Sequence, residues 1–322
     1  MTQPNTIIDM RDVDRAFSSD TGVFDINISV PAGTIFGMIG PSGSGKTTTV
    51  RLMTGLYRPD RGHVRVLGQD PARFSTRTRE QIGYMPQQFV LYPNLTVSEN
   101  LNFVASLYGM DYFRRRGRLR EVLAFVELDE AESRLGSQLS GGMKRRLELA
   151  CALVHSPRLL FADEPTAGID PVLRGKFWEH FRALRDQGNT LFVTTQYVGE
   201  AAYCDMVGVM RNGRLIIVDT PAGLRRRALG GEVISLTVDP QHTTEATRVL
   251  LAHPQVVKEV RRSRSGPGTL YVYVDDAAQA LPQVINFFDQ SSPIEVRQAE
   301  EYSPPFDDVF IMLMEQAEQN DA

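Results

Sequence analysis

The chain has 322 residues, 42% of them hydrophobic and 23% charged, and its 35 Lys and Arg against 39 Asp and Glu give a net charge of −4. That length leaves room for two domains, and the weakly acidic balance gives no support to nucleic-acid binding driven by bulk charge. No stretch approaches the ~18 apolar residues that span a bilayer, and Met-Thr-Gln-Pro-Asn at the start lacks the charged and apolar regions of a signal peptide. Two cysteines, Cys151 and Cys204, fit a reducing cytosol without a disulfide framework, and five dispersed histidines show no metal-ligand spacing.

Ile7-Ile8-Asp9-Met10 and the alternation Ile26, Ile28, Val30 predict two strands, and Thr34 to Ile39 predicts a third. Between this third strand and a helix expected over Lys46 to Leu56 lies Gly40-Pro41-Ser42-Gly43-Ser44-Gly45-Lys46-Thr47. Glycines at 40, 43 and 45 let the backbone curl so that successive N–H groups face an anion, and the helix N-terminus adds partial positive charge. Lys46 can reach the β- and γ-phosphates, the Thr47 hydroxyl can take a position on Mg²⁺, and Thr48 follows in the first turn. Strand, loop and helix in this order predict binding of a nucleoside triphosphate.

Gly62 to Gly68 and Ile82 to Tyr84 read as strands, and residues 96–155 as mainly helical, with Thr96 and Ser98 as cap candidates and Glu99 in the first turn. The basic run Arg114, Arg115, Arg116, Arg118 reads as a solvated helix face. The apolar run 159–162 suits a central parallel strand buried on both faces, and it would deliver Asp163 and Glu164 to one end of the sheet. A helix over Val172 to Gln187, a strand Thr190 to Thr194, a further helix, and closing strands at Val207 to Met210 and Arg214 to Val218 complete a parallel α/β core.

Pro221, Gly223, Arg225-Arg226-Arg227 and Gly230-Gly231 mark a boundary, so that residues 1–225 form one domain and 232–322 a second. In the second, strands at Glu232 to Val238, Val256 to Arg262, Leu270 to Val274 and Ile294 to Ala299 alternate with helices at Thr243 to Ala252 and Ala277 to Gln290. A turn at Ser265 to Gly268 joins the middle strands. The order βαββαβ is that of a ferredoxin-like fold, followed by an amphipathic helix from Phe306 to about Glu318. No catalytic constellation lies there; interaction or regulation is the expected role, and ligand sensing the alternative.

Leu139-Ser140-Gly141-Gly142-Met143-Lys144-Arg145-Arg146 followed by Arg158 to Thr166 resembles the signature sequence and Walker B strand of an ATP-binding cassette (ABC) ATPase. The resemblance runs from about residue 6 to 225 and implies a P-loop cassette with a RecA-like core, an antiparallel β subdomain and a helical subdomain. It implies ATP and Mg²⁺ as ligands. Asp163 would bind the metal beside Thr47 and Gln87, and Glu164 would polarise the attacking water. Met85-Pro86-Gln87-Gln88 resembles the family's glutamine loop, with Phe89 to Asn100 facing a membrane partner, and Asp170 resembles the acid through which two cassettes sense each other. Phe17, twenty-nine residues before Lys46, resembles the aromatic that stacks on adenine, with simple core filling as the alternative.

In this family Ser140, Gly141 and Gly142 would contact the γ-phosphate of ATP held by an opposite subunit, so the resemblance implies a dimer, with a second copy or close relative as partner. It also implies an integral-membrane permease supplied by another chain, attachment at the cytoplasmic face of the membrane, and no nucleic acid. Two departures stand out. Met143 replaces the usual glutamine, a form similar to exporters that pair a free ATPase subunit with a short permease, and Gln196 falls where the family has its switch histidine. A cytosolic ABC protein acting on ribosomes or DNA is the competing reading; the single cassette without a coiled-coil insertion speaks against it. A P-loop kinase would have no use for LSGG.

Overall fold

A strand that is buried on both faces can be apolar at every position, whereas one that faces water on one side alternates. Both kinds occur in the computed structural model, which describes residues 6–18, 20–263, 266–291 and 294–321. In chain order the first part runs through β1 (Thr6–Ala16), β2 (Gly22–Pro31), β3 (Ile35–Ile39), α1 (Lys46–Met53), β4 (Arg61–Val66), α2 (Thr76–Arg79) and β5 (Ile82–Met85). It continues with α3 (Val97–Leu107), α4 (Tyr112–Phe125), α5 (Gly141–Leu153), β6 (Leu159–Asp163), α6 (Pro171–Asp186), β7 (Thr190–Thr195), β8 (Met206–Arg211) and β9 (Arg214–Asp219). The second part holds α7 (Pro221–Leu229), β10 (Glu232–Val238), α8 (Thr243–Leu251), β11 (Val257–Arg262), β12 (Thr269–Val274), α9 (Ala277–Ser291), β13 (Val296–Tyr302) and α10 (Phe306–Asp321).

Residues 1–218 and 219–322 are separate compact units. In the first, β2-β1-β4 form an antiparallel sheet and β5-β6-β7-β3-β8-β9 a six-stranded one. The pairs β5/β6, β6/β7, β7/β3 and β3/β8 are parallel. β9 turns back after Asn212 and Gly213, whose φ values of 47° and 74° suit a tight two-residue hairpin. One apolar core contains residues of both sheets and of α1, among them Met10, Ile26, Phe36, Val50, Met53 and Phe161. Phe36 and Phe192 stack at 5.2 Å within it.

The parallel ladder places the site. Ile39 pairs with Thr195 and Asp163 with Thr194, so β3, β6 and β7 end level with one another. The loops that leave these three ends carry the glycine-rich run, Glu164 and Gln196 to the same edge of the sheet.

Several expectations need correction. Helix α1 stops at Met53 rather than Leu56, because Gly55 takes a left-handed φ of 79°. The further helix expected after β7 is only a 3₁₀ segment, Val198–Tyr203. The basic run is not simply a solvated face: Arg118 donates to the carbonyls of Leu153 (2.8 Å) and Val154 (3.1 Å), and Arg115 to Met110 (2.7 Å). The Arg118 guanidinium thus satisfies carbonyls that the end of α5 leaves free. Thr96 does cap α3, in a reciprocal capping box with Glu99.

In the second unit the strand order is β11-β12-β10-β13, with every adjacent pair antiparallel. With the chain order βαββαβ this is the ferredoxin-like arrangement. Alternate residues Leu236, Val238, Leu270 and Val272 point to one face and pack with Ala246 and Leu250 of α8 and Val284 and Phe288 of α9. The Gly/Arg-rich stretch read as a boundary contains α7, capped by the Thr220 side chain and ended by Gly230 at φ 67°, and α10 packs on it. Ser265 of the expected turn lies outside the described residues.

A chain ending at Val218 is expected to retain MgATP binding, measured by equilibrium titration. In the full chain, Phe288→Ala should cost the second unit about 3–5 kcal/mol and leave MgATP affinity within about twofold, as remote sites act independently. A folded 1–218 chain that fails to bind would refute this division.

Candidate functional site

The loop after β3 is shaped by glycines, one held by a close approach and two by left-handed backbone. A Cβ on Gly40 would stand 2.2 Å from the Met210 carbonyl oxygen, and Gly43 and Gly45 have φ of 80° and 106°. Ser44 N–H donates to the Pro41 carbonyl and Gly213 N–H to the Ser44 carbonyl, so the loop is pinned to itself and to the β8–β9 turn. The Ser44 hydroxyl is buried without a partner.

Lys46 is only 3% exposed although it is cationic. Its Nζ donates to the carbonyls of Gly40 (2.8 Å) and Pro41 (3.0 Å) and lies 3.3 Å from Glu164 Oε1. Fixed oxygens thus hold the ammonium inside the loop, which offsets the cost of burying it. Glu164 sits in the left-handed region at φ 48°, its N–H bonded to Thr194 Oγ1 at 2.9 Å. Its Oε2 accepts a 3.0 Å bond from Gln87 Nε2. Lys46, Glu164 and Gln87 therefore form one connected line.

Asp163 lies at the end of β6, where its Oδ1 accepts from Thr194 Oγ1 (2.6 Å) and Thr47 Oγ1 (3.2 Å). Its Oδ2 is buried with no partner, and burial raises the carboxyl's pKa above its ordinary value against the pull of the two hydroxyl bonds. An orphaned carboxylate oxygen beside a threonine hydroxyl is a hard-oxygen donor set, and it fits Mg²⁺. Gln196 accepts a 3.0 Å bond from Ser42 Oγ, which ties the end of β7 to the glycine loop.

Phe17 is 50% exposed and meets Tyr57 edge-on at 5.5 Å, which removes core filling as its role. It lines an open cleft of about 200 Å³ together with Thr47, Thr48, Lys46, Gln87 and Glu164. Ser140, Gly141 and Gly142 stand apart from this lining. Ser140 caps α5 through Met143 N–H, Ser140 and Gly141 are exposed, and a Cβ on Gly142 would meet the Leu173 side chain at 2.3 Å. Asp170 caps α6 through Leu173 N–H at 2.9 Å.

Sequence reasoning passed over Thr194, which bonds both Asp163 and the backbone of Glu164, and Arg145, which donates to the carbonyls of Pro86 (3.0 Å) and Gln87. Thr194 could have been found by pairing the strands β6 and β7 in register. Nothing in the local sequence marks Arg145.

Comparison with known proteins places this fold and site in a family. The ABC transporter family model matches residues 23–167. The daunorubicin/doxorubicin resistance ATP-binding protein DrrA of Streptomyces peucetius is 36% identical over 314 residues, 97% of this chain and 93% of that protein. The probable multidrug ABC transporter ATP-binding protein YbhF of Escherichia coli (strain K12) is 37% identical over 252 residues. These are 78% of this chain but 43% of that protein, so the chain spans less than half the length of that relative. Among solved structures, the ATP-binding subunit of an ABC transporter superposes with a TM-score of 0.62 at 28% identity, covering 69% of this chain and 93% of that one. A cassette solved as a dimer in a post-hydrolysis state bound to ADP and Pi superposes with a TM-score of 0.61 at 26% identity, covering 66% of this chain and 98% of that one. The chain belongs to the ABC transporter family.

Gly40→Ala is expected to weaken MgATP binding at least tenfold and to destabilise by about 1–3 kcal/mol, because a backbone carbonyl cannot yield to the methyl group. Gly43→Ala, with open space around it, should cost only the left-handed conformation, about 1–2 kcal/mol. Equal losses for the two variants in thermal melts and nucleotide titrations would contradict this reading of the loop.

Proposed function

We propose that this chain hydrolyses ATP as the motor subunit of an exporter: two nucleotide-binding subunits close on ATP, hydrolysis reopens them, and the motion is passed to a separate membrane permease. The observation that supports this best is the continuous line of contacts from Lys46 through Glu164 to Gln87, beside Asp163 and Thr47. It joins the phosphate cradle, the acid and the glutamine loop in one site.

In this reading the exposed Phe17 ring stacks on adenine, a contact worth about 1–3 kcal/mol that tolerates any base. The amides of residues 40–48 and Lys46 bind the phosphates, and the phosphate oxygens take over Nζ from Glu164. Thr47 and Asp163 would hold Mg²⁺, with Gln87 beside them; when bound, the ion supplies charge neutralisation between the phosphates. Glu164 then accepts a bond from the attacking water, oriented by Gln87, while Gln196 and Ser42 fix the γ-phosphate side of the loop.

Two further observations favour a dimer coupled to a membrane partner. Ser140 to Gly142 present an exposed helix start that is not part of the chain's own cleft, as expected if they complete the site of a second copy. Val90, Tyr92, Phe103, Leu107, Tyr112 and Phe113 are exposed apolar side chains, with Tyr92 and Phe103 in edge contact at 5.0 Å, and are suited to an apolar partner. Among the described residues no helix is long and apolar enough to cross a membrane, which leaves the membrane part to another chain. The similarity to drug-resistance and multidrug ATP-binding proteins supports export as the direction.

Glu164→Gln should keep MgATP bound, lower turnover by about 10²–10⁴, and accumulate a nucleotide-dependent dimer in light scattering. Parental turnover in that variant would remove Glu164 from the chemistry. Gln196→Ala should lower turnover and Gln196→His should preserve or raise it. Gln196→His should also add a dependence of the rate on pH between about pH 6 and 7.5, where an imidazole titrates. An unchanged rate in Gln196→Ala would reduce Gln196 to a strand-end residue.

A further inference from the structure

Contacts that hold the glutamine loop come from the helix α5. Arg145, three residues beyond Gly142 on α5, donates from Nη1 to the Pro86 carbonyl at 3.0 Å and from Nη2 to the Gln87 carbonyl. Its Nη1 also meets Glu148 Oε2 at 3.0 Å, one turn along the same helix. Glu148 has only 1% of its side chain exposed. Burial pushes its carboxyl up to about 7, even with Arg145 alongside. A buried acid in a helix interior is costly unless paired. Here the pair aims the Arg145 fork at two successive carbonyls, a geometry that a planar guanidinium supplies and a lysine cannot. Lys144 adds a cation–π contact to Phe89 at 5.4 Å, so α5 grips the loop on both sides of Gln88.

We infer that Arg145, braced by Glu148, is a positioning residue that holds the glutamine loop so that Gln87 meets Glu164. The route is short: Arg145 fixes the Gln87 backbone, and the Gln87 side chain donates to Glu164 Oε2. It also joins the helix that begins at Ser140, proposed to face a partner's ATP, to the acid of this chain's own site. This inference rests on the reading of Gln87 and Glu164 as parts of the hydrolytic site.

The test uses the full chain with MgATP and compares Arg145→Ala, Arg145→Lys, Gln87→Ala and the Gln87→Ala/Arg145→Ala double variant. Arg145→Lys keeps a cation against Glu148, which guards against simple misfolding. Arg145→Ala should lower kcat about ten- to a hundredfold, the scale of a small misplacement of a reacting group, and Arg145→Lys should fall between it and the parent. KM for ATP and affinity for the magnesium complex of TNP-ATP should stay within about twofold, since only positioning for the chemical step is lost. In the Gln87→Ala background, Arg145→Ala should bring no further loss, because residues acting through one contact are not additive. Parental kcat in both Arg145 variants, a loss confined to KM, or losses that multiply in the double variant would each overturn the inference. If Gln87→Ala lowers kcat and the Arg145 variants do not, only this inference falls. If Gln87→Ala turns over at the parental rate, the reading of Gln87 falls with it.

Discussion

Everything at the candidate site depends on three parallel strands ending level. The pairings Ile39–Thr195 and Asp163–Thr194 set the ends of β3, β6 and β7 side by side, and each end feeds a different functional loop. A slip of one residue in any of these strands would turn its last side chain to the opposite face. Thr194 shows how tightly the register is used. Its hydroxyl bonds the Asp163 carboxylate and the N–H of Glu164, so a single strand position orients both acids. The strands can hold register because β6 and β7 are buried along their whole length, and a buried ladder with every N–H paired has no alternative partner.

On that frame the electrostatics are close to balanced by fixed groups. The Lys46 ammonium is almost fully buried, yet it has two carbonyls and a carboxylate around it. Asp163 is the opposite case: one oxygen is satisfied twice and the other not at all. A buried carboxylate oxygen without a donor is expensive, and a divalent cation there would reverse the upward push that burial exerts on the carboxyl's pKa. The site's cationic half is satisfied by the protein's own oxygens, while its anionic half keeps one carboxylate oxygen without a donor.

The second unit follows a different logic. Its sheet is antiparallel and alternates, and one face packs on α8 and α9 in a core of its own. Its other face carries Tyr271 stacked on Tyr302 at 4.5 Å and Arg261 over Tyr273 at 4.9 Å, the latter pair beside Met312 and Gln316 of α10. We propose an interaction or regulatory role for residues 232–322.

The sequence by itself determined those features whose physics is local. A glycine spacing that permits left-handed turns, a lysine at the first position of a helix, an apolar run ending in two acids, and a serine that caps α5 can all be read from neighbours within a few residues. The strands of the second unit could be read in the same way from their alternation. Tertiary structure alone decided what depends on contacts between distant segments. Thr194 matters because β7 lies beside β6; Phe17 lines the cleft because the loop after β1 leaves it half exposed; Arg118 is bound because the end of α5 faces it. Arg145 is the clearest case, since on the chain it is one basic residue among Lys144, Arg145 and Arg146. Its contact with Gln87 spans 58 residues of sequence and exists only because α5 packs beside β5, a juxtaposition that no local pattern encodes.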